Sequence, residues 1–263
     1  MDNITFDSQR IAEGYAKRPW LHKEVIKQIR RDCNIEQLKK GLDVGCGAGL
    51  STKALRILCE HVTGTDISSE MIAVCKKIYK DSSYTFYVSK AEENKIPLIP
   101  YDIITAAGVV NWVDKDLFLN NAEKILDSNG LIVIYNFWIT DRMDDNYEFT
   151  EWFRDKYLKI FPKPYRKEDV WKQNDLTDAF KIENKVVYDL KYEFSLDEFI
   201  DFMMIQSNVN EQIEKGFLSV EEIRNWMVST LQPIFGGQNK TLIFEGYNWY
   251  IRKKEIPMGV TKW

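Results

Sequence analysis

Residues 41–50 read G-L-D-V-G-C-G-A-G-L, and this stretch decides the fold. Leu42 and Val44 are apolar and lead straight into Gly45, Gly47 and Gly49, spaced at every second position. A short buried strand ending at a glycine loop has this form. Leu50, Ala54, Leu55 and Leu58 then recur at helical spacing, so 51–59 is predicted to be a helix. Glycine lets such a loop take positive φ and lets its backbone approach a ligand closely.

The next run, H-V-T-G-T-D at 61–66, reads as a second strand, with a helix predicted from Ser68 to Tyr79 carrying Met71, Ile72, Cys75 and Ile78 inward. Asp66 closes that strand, near the position at which an acid meets a ribose in a nucleotide-binding βαβ unit. Further along, Tyr84–Val88, Tyr101–Ala107 and Leu131–Trp138 read as strands, with a helix over Asp116–Leu126 and a turn at Asp127–Gly130. Five strands alternating with helices imply a mostly parallel, doubly wound α/β sheet.

Both ends depart from this pattern. Ser8–Lys17 and Leu21–Arg31 read as helices separated by the Pro19 break. The segment 140–184 is rich in charge and aromatics, with helical periodicity in its first half. Period-two alternation from Val186 to Phe194 predicts a sixth strand and Thr241–Arg252 a seventh, with Gly246 a bulge. These two late strands are expected to pair antiparallel at one sheet edge. Capping boxes at Ser195/Glu198 and Ser219/Glu222 predict helices to about Gln206 and over Val220–Leu231.

At 263 residues, 44% hydrophobic and 29% charged, the chain has the composition of an ordinary globular protein able to bury a sizeable core. A net charge of −4 gives no broad basic surface, so neither nucleic acid nor an anionic membrane is an expected partner. Cys33, Cys46, Cys59 and Cys75 show no C-x-x-C spacing and there are two histidines, so no metal site is expected, and a cytoplasmic location with reduced thiols is the simplest reading.

With these motifs in place, the chain resembles the class I S-adenosylmethionine (SAM)-dependent methyltransferases. L-D-V-G-C-G-A-G, G-T-D-I-S-S-E-M-I, A-E-E-N-K-I-P and Y-D-I-I-T-A-A-G-V-V-N-W-V-D carry the likeness, which covers about Ile11 to Trp138. Within the family, A-K-R-P-W after Tyr15 and N-W-V-D resemble the small-molecule branch that includes trans-aconitate methyltransferase; Asn111 stands where His or Gln is more usual. The resemblance implies one Rossmann-like domain over 1–263, a seven-stranded mostly parallel sheet with helices on both faces, and a helical insertion after the fifth strand. It further implies that N-terminal helices (1–34) cover the site and that 140–184 acts as a lid.

The cofactor implied is SAM, with S-adenosylhomocysteine (SAH) as product. Gly45, Cys46, Gly47 and Gly49 would meet its methionine part, together with Ala107 and Gly108, and Tyr15 is a further cofactor-binding candidate. Asp66 would accept the ribose hydroxyls, Ile67 would pack on adenine, and Ala91 with Glu92 would meet the adenine amino group. Tyr15, Arg18, Asn111, Trp112 and Arg166 are the acceptor-site candidates, for a small molecule that is expected to carry a carboxylate. A carboxylate needs no general base, so catalysis by proximity is expected, in a monomer or homodimer. Two alternatives stand beside this: a SAM-binding sensor or partner module without turnover, and a NAD-dependent oxidoreductase, whose G-x-G-x-x-G spacing the loop lacks.

Overall fold

The structure is a computed structural model that describes residues 9–93, 95–97, 99–163 and 170–254. Its seven strands are β1 (Leu38–Val44), β2 (Cys59–Asp66), β3 (Tyr84–Val88), β4 (Tyr101–Ala107), β5 (Leu126–Met143), β6 (Phe180–Phe194) and β7 (Lys240–Lys253). They form one sheet in the order β3-β2-β1-β4-β5-β7-β6. Pairing is parallel from β3 to β5 and antiparallel among β5, β7 and β6. Asp144 N–H donates to the Thr241 carbonyl and Thr140 Oγ1 to that of Ile243, so partner numbers fall along one strand as they rise along the other. The Rossmann-like sheet and the antiparallel pairing at its edge are as the sequence predicts.

The chain divides into two compact units. The second unit, spanning 22–136, 168–186 and 247–263, holds β1 to β4. Its register sets the carboxyl ends of three strands side by side, with Val44 opposite Thr65 on one flank and Ala106 on the other. The strand order reverses between β1 and β4, the place where ligands bind in doubly wound sheets. Leu42, Val44, Ile104, Ala106, Ile132 and Ile134 are buried in one apolar cluster behind that edge.

Among the described residues, this unit holds the α-helices α2 (His22–Asp32), α3 (Leu50–Leu55), α4 (Ser69–Ile78) and α5 (Lys115–Ile125), and a 3-10 turn at Gln173–Asp175. Ser68 caps α4 by accepting from Met71 N–H, and Asp114 caps α5 by accepting from Leu117 N–H. Helix α3 is shorter than the spacing predicts. Ile57 and Leu58 N–H bond to the carbonyls of Ala54 and Leu55, a tight turn that ends the helix, and Cys59 already pairs in β2 opposite Leu38. Ile78, expected inward, is 49% exposed at the last turn of α4. The turn expected at Asp127–Gly130 lies within β5. Tyr101 pairs Leu126 while Ile103 pairs Leu131, so the extra residues bulge from the strand, held by Asn129 N–H and Ser128 Oγ on the Asp127 carboxylate.

The first unit comprises 1–21, 137–167 and 187–246. It contains α1 (Gln9–Ala16), α6 (Tyr147–Glu151), a π-helical stretch Trp152–Tyr157, α7 (Leu158–Ile160), α8 (Leu196–Met204), α9 (Ser207–Glu214) and α10 (Val220–Phe235). Both capping boxes are present, at Ser195 and Ser219. Its core is largely aromatic: Phe149, Trp152, Phe153, Tyr157, Phe161, Phe194 and Phe199 are all buried. Trp152 stacks between Tyr157 and Trp226, with ring centroids 5.5 and 5.8 Å away, and its indole N–H donates to Thr230 Oγ1 at 2.9 Å. Helix α1 comes close to the end of α8, where a Cβ on Gly14 would stand 2.8 Å from Ile205 Cγ2. Helix α9 was not foreseen from the sequence. Within 140–184, β5 runs on to Met143 and β6 begins at Phe180, so the helical part is narrower than expected.

Candidate functional site

The glycine loop between β1 and α3 is built on positive φ. Gly45, Gly47 and Gly49 have φ of 66, 52 and 89°, a region that a side chain with a Cβ enters only with strain. A Cβ at Gly45 would also stand 2.3 Å from Val109 Cγ2, and one at Gly49 2.5 Å from Tyr79 Cε2. Cys46 N–H pairs with the Thr65 carbonyl, and the thiols of Cys46 and Cys75 both donate to the Gly47 carbonyl. Burial raises the Cys46 thiol well above its ordinary range, so it remains neutral.

Asp66 reaches across this loop. Its Oδ2 accepts from Gly47 N–H at 2.8 Å and its Oδ1 from Ser68 N–H at 2.9 Å. Ser68, not Asp66, is the N-cap of α4. Ile67, the next residue, is 46% exposed although apolar, beside Val88 at the end of β3, which pairs with Asp66 and is itself exposed. A carboxylate at the strand end with an uncovered apolar face next to it fits a ribose and a flat purine. A small backbone cradle whose glycines would clash if given a Cβ fits the methionine chain.

Asp43 was not among the sequence-derived candidates, and it lies under the loop. It is fully buried in β1 and accepts from Ser51 Oγ at 2.6 Å, Thr52 Oγ1 at 2.7 Å and Thr105 Oγ1 at 2.9 Å. It thereby ties the first turn of α3 to β4. Burial pushes its carboxyl up to about 6, the three hydroxyls pull against that, and the nearby Asp66 charge adds to the push. Near pH 7 two carboxylates therefore give the loop negative potential. That favours a cofactor bearing ammonium and sulfonium charges over a pyrophosphate. Its only sequence signal was a charged residue between the apolar Leu42 and Val44.

The remaining candidates of this unit are placed less uniformly. Ala107 ends β4, and Gly108 follows with φ 67° and its N–H on the Tyr135 carbonyl. Asn111 and Trp112 are exposed in the turn before α5, and at 46% exposure Trp112 does not fill the core. Glu92 is partly committed, since its Oε1 accepts from Asp114 N–H at 2.8 Å. Ala91 packs against the apolar cluster of β1 and β4. Tyr15 and Arg18 belong to the first unit, where the guanidinium carbon of Arg18 lies 3.6 Å from the Tyr15 ring centroid. Arg166 lies outside the described residues.

Residues 42–134 match the protein family described as Methyltransferase domain. The chain carries a class I methyltransferase domain. Its cofactor is SAM and the product formed from it is SAH. The chain is 38% identical over 96 residues to a ubiquinone biosynthesis O-methyltransferase of Bradyrhizobium diazoefficiens, covering 35% of this chain and 38% of that one. A protein of Dictyostelium discoideum named as a methyltransferase is 22% identical over 210 residues, 78% of each chain. Among solved structures, one from Anaeromyxobacter dehalogenans described as a type II methyltransferase superposes with a TM-score of 0.67 at 16% identity, over 91% of this chain and 97% of that one. That likeness is one of fold. The family match falls entirely within the second unit, which carries the glycine loop and Asp66.

Proposed function

We propose that the methyltransferase domain acts on a small organic acceptor and that the atom methylated is a carboxylate oxygen. Support comes from the resemblance to the branch that includes trans-aconitate methyltransferase, and from the absence of a broad basic surface for a polyanion. The carrying observation is Arg18, which is held in place by stacking on Tyr15 and by donating from Nη2 to the Ile205 carbonyl at 3.2 Å. A guanidinium held in this way can orient an acceptor carboxylate.

In this reading Gly45, Cys46, Gly47, Gly49, Ala107 and Gly108 hold the methionine part of SAM. Asp66 accepts the ribose hydroxyls, Ile67 supports adenine, and Ala91 with Glu92 addresses the adenine edge. Held there, SAM would supply its methyl group to the acceptor oxygen, with the sulfonium sulfur as leaving group. A carboxylate at neutral pH has no proton to lose, so what the residues contribute is position and electrostatics.

Calorimetry should give SAM and SAH dissociation constants in the micromolar range, on the order of −7 to −8 kcal/mol, and no useful NAD binding. A preference for NAD would overturn the cofactor assignment. For the acceptor, a screen of small acids and amines with methyl-labelled SAM should return labelled esters. With a turned-over acid in hand, Arg18→Ala should raise its KM strongly while leaving SAM affinity nearly unchanged. Labelled amines alone would sink the carboxylate reading.

A further inference from the structure

Strand β6 ends the sheet, with β7 on one side and, among the described residues, no strand on the other. Ile182, Val186, Leu190 and Tyr192 are half-buried, while Lys181, Glu183, Lys185, Asp189, Lys191 and Glu193 stand exposed on the opposite face. Val187 is the midpoint of Phe180–Phe194 and belongs to the exposed row. It is 70% exposed although apolar and β-branched. The start of the outer edge is covered by a side chain: Gln173 Nε2 donates to the Phe180 carbonyl at 3.3 Å and its Oε1 accepts from Ile182 N–H at 2.8 Å. There the even-numbered residues turn their backbone groups outward and the odd-numbered ones turn theirs to β7, as the bond from Lys254 N–H to the Ala179 carbonyl also shows.

Charge often blunts an edge strand, but the order of these charges is not that of a repellent edge. Turning a second β6 end for end about Val187 sets Val187 against Val187, Lys185 against Asp189, Glu183 against Lys191 and Lys181 against Glu193. Each charge then meets its opposite on one face, and symmetry repeats each pair. Sliding the copy by two residues either way, the smallest slip that keeps the faces matched, sets lysine against lysine and carboxylate against carboxylate. An in-register parallel pairing sets every charge against its own copy. Within the chain Asp189 already meets Arg142, Lys191 meets Asp144 and Glu183 meets Arg252. These pairs are exposed, and carboxylate and ammonium groups have bonding capacity to spare for a cross-strand partner.

We infer that β6 is a self-complementary docking edge by which two copies of this chain join, antiparallel about a two-fold axis at Val187. With Gln173 covering the start of the edge, the paired stretch is Glu183–Lys191. The odd-numbered residues bond to β7, so Val187 and the charges flanking it form the non-hydrogen-bonded pairs, in which side chains approach most closely. The interface uses the same patch on both copies and therefore closes at the dimer.

Sedimentation of the full chain, 31.0 kDa, should show a reversible dimer with a dissociation constant on the order of micromolar. Raising the salt to roughly 1 M should weaken it several-fold. Val187→Asp puts like charges on the axis and should weaken the dimer at least about tenfold. Lys185→Glu and Asp189→Lys, each alone, set like charges against one another and should do the same. Mixed together, these two variants should form a heterodimer, since each supplies the charge the other lacks. All three positions are exposed, and circular dichroism checks that each variant is folded. A monomer at concentrations up to about 100 μM, an assembly larger than a dimer, a dimer indifferent to Val187→Asp, or no heterodimer in the mixture would overturn the assignment.

Discussion

Asp66→Ala should weaken SAM and SAH by roughly 2–3 kcal/mol, about thirty- to a hundredfold or more in dissociation constant, if the two charge-assisted bonds to the ribose proposed for it are lost. The same carboxylate also holds Gly47 N–H and Ser68 N–H, so Ala additionally leaves two loop donors without their partner. Asp66→Asn keeps a single acceptor, so it can hold one of the two loop N–H groups and its NH2 can accept no ribose hydroxyl. Its affinity should fall between those of the wild type and Ala. Calorimetry on the three proteins decides it, with circular dichroism to confirm that each is folded. Normal SAM affinity in Asp66→Ala would remove the ribose assignment.

The second large effect concerns Asp43 and pH. Its carboxyl is raised from the usual 3.8 to about 6 in the folded protein, so between these values the native state holds a proton that the unfolded chain has released. Stability from this group is full below about pH 4 and is lost as pH rises through 6. Some two pH units correspond to about 3 kcal/mol. Asp43→Asn abolishes this titration. The stability difference, wild type minus variant, should therefore fall by about that amount between pH 4 and 7, as measured by denaturant unfolding at each pH. A pH-independent difference would show that the hydroxyls of Ser51, Thr52 and Thr105 fully offset the cost of burying the charge.

What could be read from the sequence follows the range of the forces involved. Strands β3 and β4 begin and end where the apolar runs Tyr84–Val88 and Tyr101–Ala107 do, because turn-forming residues bound both. The end of α3 was overshot since Leu58 continues the helical spacing, while the pairing of Cys59 with Leu38 is a tertiary fact. Strand β6 starts at Phe180 rather than Val186. The residues between include Lys181, Glu183 and Lys185, and such charges are tolerated because β6 is an edge strand. Helix α9, S-N-V-N-E-Q-I-E, has no side-chain cap and little apolar content, so neither periodicity nor capping announced it. The positive-φ glycine loop was legible because glycine spacing is a local signal. Asp43 was hidden because its meaning depends on three hydroxyls, one of them sixty-two residues away in β4. The placement of Arg18 depends on contacts that no local pattern encodes.

The first unit draws on three separated stretches of chain, and this bears on folding order. The Arg18 guanidinium bonds a carbonyl 187 residues further on, and the neighbouring apolar side chains Ile11 and Ala12 are fully buried in the finished protein. Strands β1 to β4 and their helices lie within a single run of sequence and close short loops. Contacts of long sequence separation form late and slowly. On the ribosome, the Arg18 contact with the Ile205 carbonyl therefore forms only after the β1 to β4 segment has been made. Helix α1 is synthesised ahead of strands β1 to β4, yet its approach to Ile205 must wait until the end of α8 has emerged.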